Sequence, residues 1–293
     1  MAAIIALANR KGGSGKTTTT INLADGLARQ GKRVLVVDAD SQAQSTISCG
    51  IMPYQLEMSL YELLHISMAG PKGDSEIAAT TIRGKQLFDL IPSKPDLSAL
   101  EIELAATLSV SDSEHQRHIE NDRREYGLHS GVAYPKGDSS NCQSLLRDLL
   151  LEVENSYDYI LIDLPPSLGL ITVNGLVAAN WLLIPIEPTF LSMDGLAQMT
   201  SILYKVNAEL NPALRLMGIV PVKCDLRTNL ARNVVEEIRQ NFGDDRLLPA
   251  IRNDIKLAEA PSFGKTIFEY AANCRGATDY MQLAKSIIAR SGD

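Results

Sequence analysis

The residues best placed to do chemistry stand near the start of the chain, in the run Asn9-Arg10-Lys11-Gly12-Gly13-Ser14-Gly15-Lys16-Thr17. Glycines belong where a backbone must approach a ligand closely or adopt positive φ. A loop of this kind turns its N–H groups, and the N-terminus of the helix that follows, toward phosphate oxygens. Lys11, Gly12, Gly13, Ser14, Gly15, Lys16, Thr17 and Thr18 are therefore the candidate phosphate cradle. Lys16 is assigned to the β- and γ-phosphates, and the Thr17 hydroxyl to Mg²⁺. The usual motif has glycine six positions before its lysine; here that residue is Arg10, and Lys11 follows it. A cation so early in the loop is badly placed for its own subunit's γ-phosphate. It could reach one held by a facing subunit, as a finger acting in trans.

Two acidic signals complete the set. Asp38 and Asp40 end an apolar run, and residues two apart in a strand share a face. We assign Asp40 to the attacking water and Asp38 to the metal's surroundings. A pair of solvated turn carboxylates would look the same without the glycine loop. The run Tyr159-Ile160-Leu161-Ile162-Asp163 is an apolar strand ending in an aspartate, and Asp163 is expected to hold Mg²⁺ through water. Leu164-Pro165-Pro166-Ser167 then makes a stiff turn suited to sensing the γ-phosphate.

The elements that must position these groups are legible as alternating patterns. Short apolar runs over 4–8, 33–37, 87–91, 159–162, 181–186 and 216–220 read as buried parallel strands. Helical patterns cover 17–30, 143–154, 195–210, 229–242 and 277–290. This alternation predicts an α/β fold: a doubly wound, mostly parallel sheet of the P-loop type, with helices on both faces. Ligands in such sheets bind at the carboxyl ends of the strands. The chain of 293 residues reads as a single domain. The polar stretch 109–141 offers little to bury and reads as an insertion. It either carries a partner preference or is a tolerated surface loop.

Composition narrows the class. The net charge of −7 argues against a general polyanion binder but not against a local basic patch. The sequence contains no apolar run of membrane-spanning length, and the N-terminus lacks the features of a signal peptide. Four scattered cysteines without metal spacing suggest reduced thiols in a cytosolic protein.

Five segments together carry a specific resemblance. They are Lys11 to Thr17, Val37-Asp38-Ala39-Asp40-Ser41-Gln42, Tyr157 to Leu170, Arg227-Thr228-Asn229-Leu230, and Leu257 to Lys265. In these the chain resembles the ParA family of partition and positioning ATPases, the group that also contains MinD, over nearly its whole length except 109–141. The resemblance implies a slow, Mg²⁺-dependent, partner-stimulated ATP hydrolase that forms an ATP-sandwiched homodimer, with Lys11 acting across it. It implies that Asp40 supports hydrolysis, and that the ATP-loaded dimer binds non-specific DNA until a ParB-like adaptor releases it. The cargo could be a plasmid, a chromosome origin or a protein organelle such as a carboxysome. A cytoplasmic, nucleoid-associated location follows from the same resemblance. Arg227 and Lys256 are the DNA contacts carried over, although solvated surface cations would look alike. From Arg215 to Lys265 nine bases meet seven acids, a slight local excess. Pro221, Val222, Arg252 and Asn253 are expected to border the adenine; relatives often read Pro-Arg-Asn where this chain has Arg252-Asn253-Asp254.

Other readings fit less well. Membrane cycling of the MinD type needs a basic amphipathic tail, whereas residues 287–293 read as the close of a packed helix. A nitrogenase-reductase-like protein needs cluster cysteines beside the switches. A metabolic ligase of the dethiobiotin-synthetase type shares the fold, but no separate substrate-pocket signature appears. A sequence-specific repressor needs a helix-turn-helix, for which the first strand leaves no room.

Overall fold

The computed structural model describes residues 1–68, 74–104, 141–190 and 192–291. The proposed insertion 109–141 lies outside them, except for Asn141, which opens a helix.

Six strands form one sheet: β1 (Ala3–Leu7), β2 (Val34–Asp38), β3 (Asp89–Ile91), β4 (Tyr159–Asp163), β5 (Trp181–Ile186) and β6 (Arg215–Pro221). Their order is β3-β2-β4-β1-β5-β6, and every pairing between them is parallel. Apolar residues on both faces explain this, because a parallel sheet must be covered on each side. In β4, Ile160 and Ile162 join one core while Tyr159 and Leu161 join the other. In β2, Leu35 and Val37 face the first core, and Val34 and Val36 the second. All six strands occur where the sequence pattern puts them, with ends shifted by up to two residues.

The helices among the described residues are α1 (Lys16–Arg29), α2 (Gln44–Ser48), α3 (Leu60–Met68), α4 (Asp74–Thr80), α5 (Asn141–Leu151) and α6 (Leu170–Ala178). Then come α7 (Ser192–Glu209), α8 (Asn229–Phe242), α9 (Ile255–Glu259), α10 (Ile267–Ala271) and α11 (Arg275–Ser291). Helix α1 packs with α11 on the second core, where Leu27 and Ala24 meet Tyr280, Leu283 and Ala284. The first core is closed by Leu64 of α3, Leu146 of α5, Leu176 of α6 and Met199 of α7.

Six of these helices escape the periodicity, α2, α3, α4, α6, α9 and α10, the last two being only five residues long. Helix α6 has the sequence Leu-Ile-Thr-Val-Asn-Gly-Leu-Val-Ala, apolar, β-branched and broken by glycine, and so lacks a polar stripe. It is helical because tertiary packing overrides propensity: Leu164 lies against Gly175, where an added Cβ would stand 2.4 Å from Leu164 Cδ2. Helices α2, α3 and α4 lie in the connection after Asp40, which gives no sustained period.

Candidate nucleotide site

The P-loop joins the end of β1 to α1. Its first anchor is Asn9, whose side-chain N–H donates to the Pro185 carbonyl at 2.7 Å while its Oδ1 accepts from the Lys11 N–H at 3.0 Å. Arg10 donates to Gln198 of α7. Gly13 (φ 71°) and Gly15 (φ 82°) take the left-handed backbone that the turn requires, and Gly15 is the residue before α1. The α1 N-terminus thus opens at the carboxyl ends of the strands.

The two lysines of the loop diverge. Lys16 is 7% exposed. Burial pushes its pKa down, and the charges of Asp163 and Asp40 oppose that shift. Lys11 is exposed, with a long 3.4 Å contact to Thr189 Oγ1.

Asp163 collects the loop and the second strand. Its Oδ2 accepts from Thr17 Oγ1 at 2.8 Å and from Ser45 Oγ at 2.7 Å. Its Oδ1 is buried without a hydrogen-bond partner, as is Ser14 Oγ. A buried carboxylate oxygen without a donor is costly unless a ligand or water serves it. Burial raises the Asp163 pKa, while the Ser45 and Thr17 hydroxyls and the Lys16 charge lower it. An anionic oxygen beside a threonine hydroxyl suits Mg²⁺, which is bound through one or two carboxylates, waters and substrate phosphates. The residues present fit the ion.

Asp38 lies opposite Asp163 in the β2–β4 register. It is fully buried, and its Oδ2 accepts from the Thr46 N–H at 2.8 Å and from Thr46 Oγ1 at 2.7 Å. Asp40 is 9% exposed. Its Oδ1 accepts from the Gln42 N–H at 2.9 Å and its carbonyl from the Ala43 N–H at 2.8 Å. The two carboxylates stand differently: Asp38 ties β2 to α2, and Asp40 caps the turn facing Lys16.

Beside the P-loop lies a cavity of about 110 Å³ lined by residues that include Gly15, Val222, Lys223, Arg252, Asn253 and Tyr280. Three of the four residues expected around the base line it; Pro221 stands one residue back, as the last residue of β6. The Arg252 guanidinium is committed to Asp279, with Nη2 2.6 Å from Oδ1. Sequence reasoning passed over Ser45, Thr46, Lys223 and Tyr280. The only local sign of the first two is a pair of adjacent small hydroxyl residues after the Asp-x-Asp turn.

Of the proposed DNA contacts, Arg227 is 90% exposed in its side chain and forms a two-pronged pair with Asp225 at 2.8 and 2.7 Å. Lys256 bonds Glu259 at 2.8 Å and lies over the Tyr270 ring. Both cations have an acidic partner, so a phosphate would compete with it. Among the described residues no helix is long and apolar enough to cross a membrane.

Comparison with known proteins bears on the family and the fold. A family model described as "AAA domain" matches residues 2–127 and 135–216. The chromosome partitioning protein ParA of Caulobacter vibrioides is 34% identical over 293 residues, covering 99% of this chain and 95% of its own. The sporulation initiation inhibitor protein Soj of Bacillus subtilis is 36% identical, with 99% of both chains covered. A solved structure described as cobyrinic acid a,c-diamide synthase from Mycobacterium smegmatis, with bound ADP and magnesium, superposes with a TM-score of 0.74 at 27% identity. It covers 100% of this chain and 97% of that one. Near-complete coverage by partitioning proteins, together with the deviant phosphate loop and its acidic partners, settles the family: the chain belongs to the ParA/Soj partitioning ATPases.

Proposed function

We propose that this protein is an ATP-driven positioning switch. Two copies sandwich ATP, the dimer holds non-specific DNA, and hydrolysis stimulated by a ParB-like adaptor releases it. The observation that carries the reading is the meeting of the Thr17 and Ser45 hydroxyls on one oxygen of Asp163, its other oxygen unpartnered, beside buried Lys16. Such a group has little use in a structural role and suits Mg·ATP. When bound, Mg²⁺ neutralises charge on the phosphate oxygens, and Thr17 and Asp163 would hold it.

The chain's own residues divide the remaining work. The P-loop N–H groups and Lys16 bind the β- and γ-phosphates and offset charge that develops on them. Asp40, held by the Gln42 N–H, orients the attacking water. Lys11, its side chain exposed at the rim of the cradle, serves the nucleotide of the second copy. Val222 and Asn253 border the base. Arg227 and Lys256 meet DNA phosphates, and a few such contacts per subunit give salt-sensitive binding that dimerisation strengthens.

The similarity to a synthase keeps a ligase reading in view, but 34–36% identity to partitioning proteins exceeds the 27% there. The test is DNA retention on filters with ATP, ADP or no nucleotide. Wild-type protein should retain DNA only with ATP. Lys16→Ala should abolish retention, and Asp40→Ala should prolong it. Retention indifferent to nucleotide and to Arg227→Ala would overturn the switch.

A further inference from the structure

Among the described residues, two other than glycine have left-handed backbone, Ala43 and Lys223, each at φ 50°. Such residues are strained and persist where the surroundings hold them, often at functional sites. Ala43 is explained by the turn closed on the Asp40 carbonyl. Lys223 has no counterpart in that turn and lies outside the phosphate motif.

Its neighbours show what the strain achieves. The Val222 N–H donates to the Ile186 carbonyl at 2.8 Å, and the Cys224 N–H to the Ile251 carbonyl at 2.9 Å. The backbone is fixed on both sides, and the kink between sends the Lys223 side chain to the P-loop. Lys223 Nζ donates to the Gly13 carbonyl at 2.8 Å, with Glu187 Oε2 at 3.5 Å. Val222 touches the same loop at a second point: a Cβ on Gly15 would stand 3.1 Å from Val222 Cγ2. This short segment therefore bears on both left-handed glycines of the cradle. Lys223 and Val222 also line the cavity beside it.

A cradle that turns N–H groups inward leaves carbonyls directed elsewhere, and these need donors. An ammonium on the Gly13 carbonyl forms a charge-assisted bond and adds positive charge next to the phosphates. We propose that Lys223 is a positioning residue that clamps the P-loop apex to the base-side loop and so sets the shape of the phosphate cradle. The inference rests on the nucleotide-site reading above and acts through Gly13, with Glu187 steadying the cation.

Three substitutions separate the clamp from the strain. Lys223→Gly removes both, Lys223→Met removes only the clamp, and Lys223→Arg keeps a cation in reach. The measurements are dissociation constants for fluorescent ATP and ADP analogues and the thermal midpoint without nucleotide. Lys223→Gly should be at least as stable as wild type yet bind both nucleotides about tenfold more weakly. Lys223→Met should show a similar loss of affinity, and Lys223→Arg should recover most of it. Affinities within about twofold of wild type in the Gly and Met variants would overturn the clamp. So would a loss confined to ATP, which indicates a γ-phosphate contact, or a fall in the stability of Lys223→Gly that parallels its affinity. Wild-type protein that bound neither nucleotide would remove the nucleotide-site reading and this inference with it.

Discussion

Replacing Asp38 by asparagine should flatten the pH dependence of stability in the nucleotide-free protein. Asp38 is fully buried beside Asp163. Burial is the main reason its pKa is pushed up to about 8, and the Asp163 charge adds to the rise; the bonds from Thr46 and the Asp40 N–H oppose it. A carboxyl whose folded pKa lies above its ordinary 3.8 holds its proton more tightly in the folded state. Its contribution is therefore most favourable in acid and declines as pH rises from 3.8 toward about 8. Each pH unit in that window costs about 1.4 kcal/mol, so the loss between about pH 5.5 and about pH 7.5 approaches 3 kcal/mol. Total stabilities are on the order of 5–15 kcal/mol, so urea titrations across that range resolve it. The amide of the Asp38→Asn variant cannot titrate, and its stability curve should be flatter by that amount. Parallel curves for Asp38→Asn and wild type would refute the reasoning. Carbon-13 NMR of the wild-type aspartate carboxyls reads the same titration without a variant. It should show one buried carboxyl of the Asp38–Asp163 pair still protonated near neutral pH.

Other consequences follow from single contacts. Ser45→Ala removes one of the two hydroxyls on Asp163. It should lower Mg²⁺-dependent ATP turnover about tenfold while ATP affinity moves less than about threefold; unchanged turnover would mean that the hydroxyl does not position Asp163. Gly264→Ala places a Cβ 2.7 Å from Gly50 Cα at φ 63°, and should cost about 2–4 kcal/mol by urea denaturation. Gly31→Ala, at φ 78° with nothing within 4 Å, should cost only about 1 kcal/mol, so the difference reports the backbone collision. Arg227→Ala should weaken ATP-dependent DNA binding and reduce the salt slope by about one per subunit, with turnover in the absence of DNA unchanged.

The sheet was readable because every strand is buried on both faces and so appears as a short apolar run, and because the P-loop and Asp163 fall at strand ends. What stayed hidden depends on chain segments that meet only after folding. Ser45 lies 118 residues from Asp163, and Lys223 lies 210 residues from Gly13. Neither residue carries a local pattern, since a serine in a turn and a lysine after a strand are ordinary surface choices. Arg252 shows the opposite failure: its chemistry invites a ligand, but Asp279, on the far side of α9 and α10 in the chain, holds its guanidinium. Helix α6 was missed for a third reason, because a helix apolar all round has no stripe for periodicity to find.

The separation of Lys11 from Lys16 shows what the glycines do beyond admitting phosphate. Here Gly13 and Gly15 reverse the chain, so Lys16 is buried against Asp163 and Asp40 while Lys11 stays at the rim with one long contact. One cation, Lys16, is already buried at the loop. A second one there would add like-charge repulsion and desolvation cost, whereas at the rim it keeps its hydration until another surface arrives. If that surface is a second copy with its own bound triphosphate, Lys11→Ala should spare ATP binding by the monomer and abolish ATP-dependent dimerisation. Sedimentation velocity with ATP and with ADP distinguishes the two, and a Lys11→Ala protein that still dimerised on ATP would leave the lysine without a role in trans.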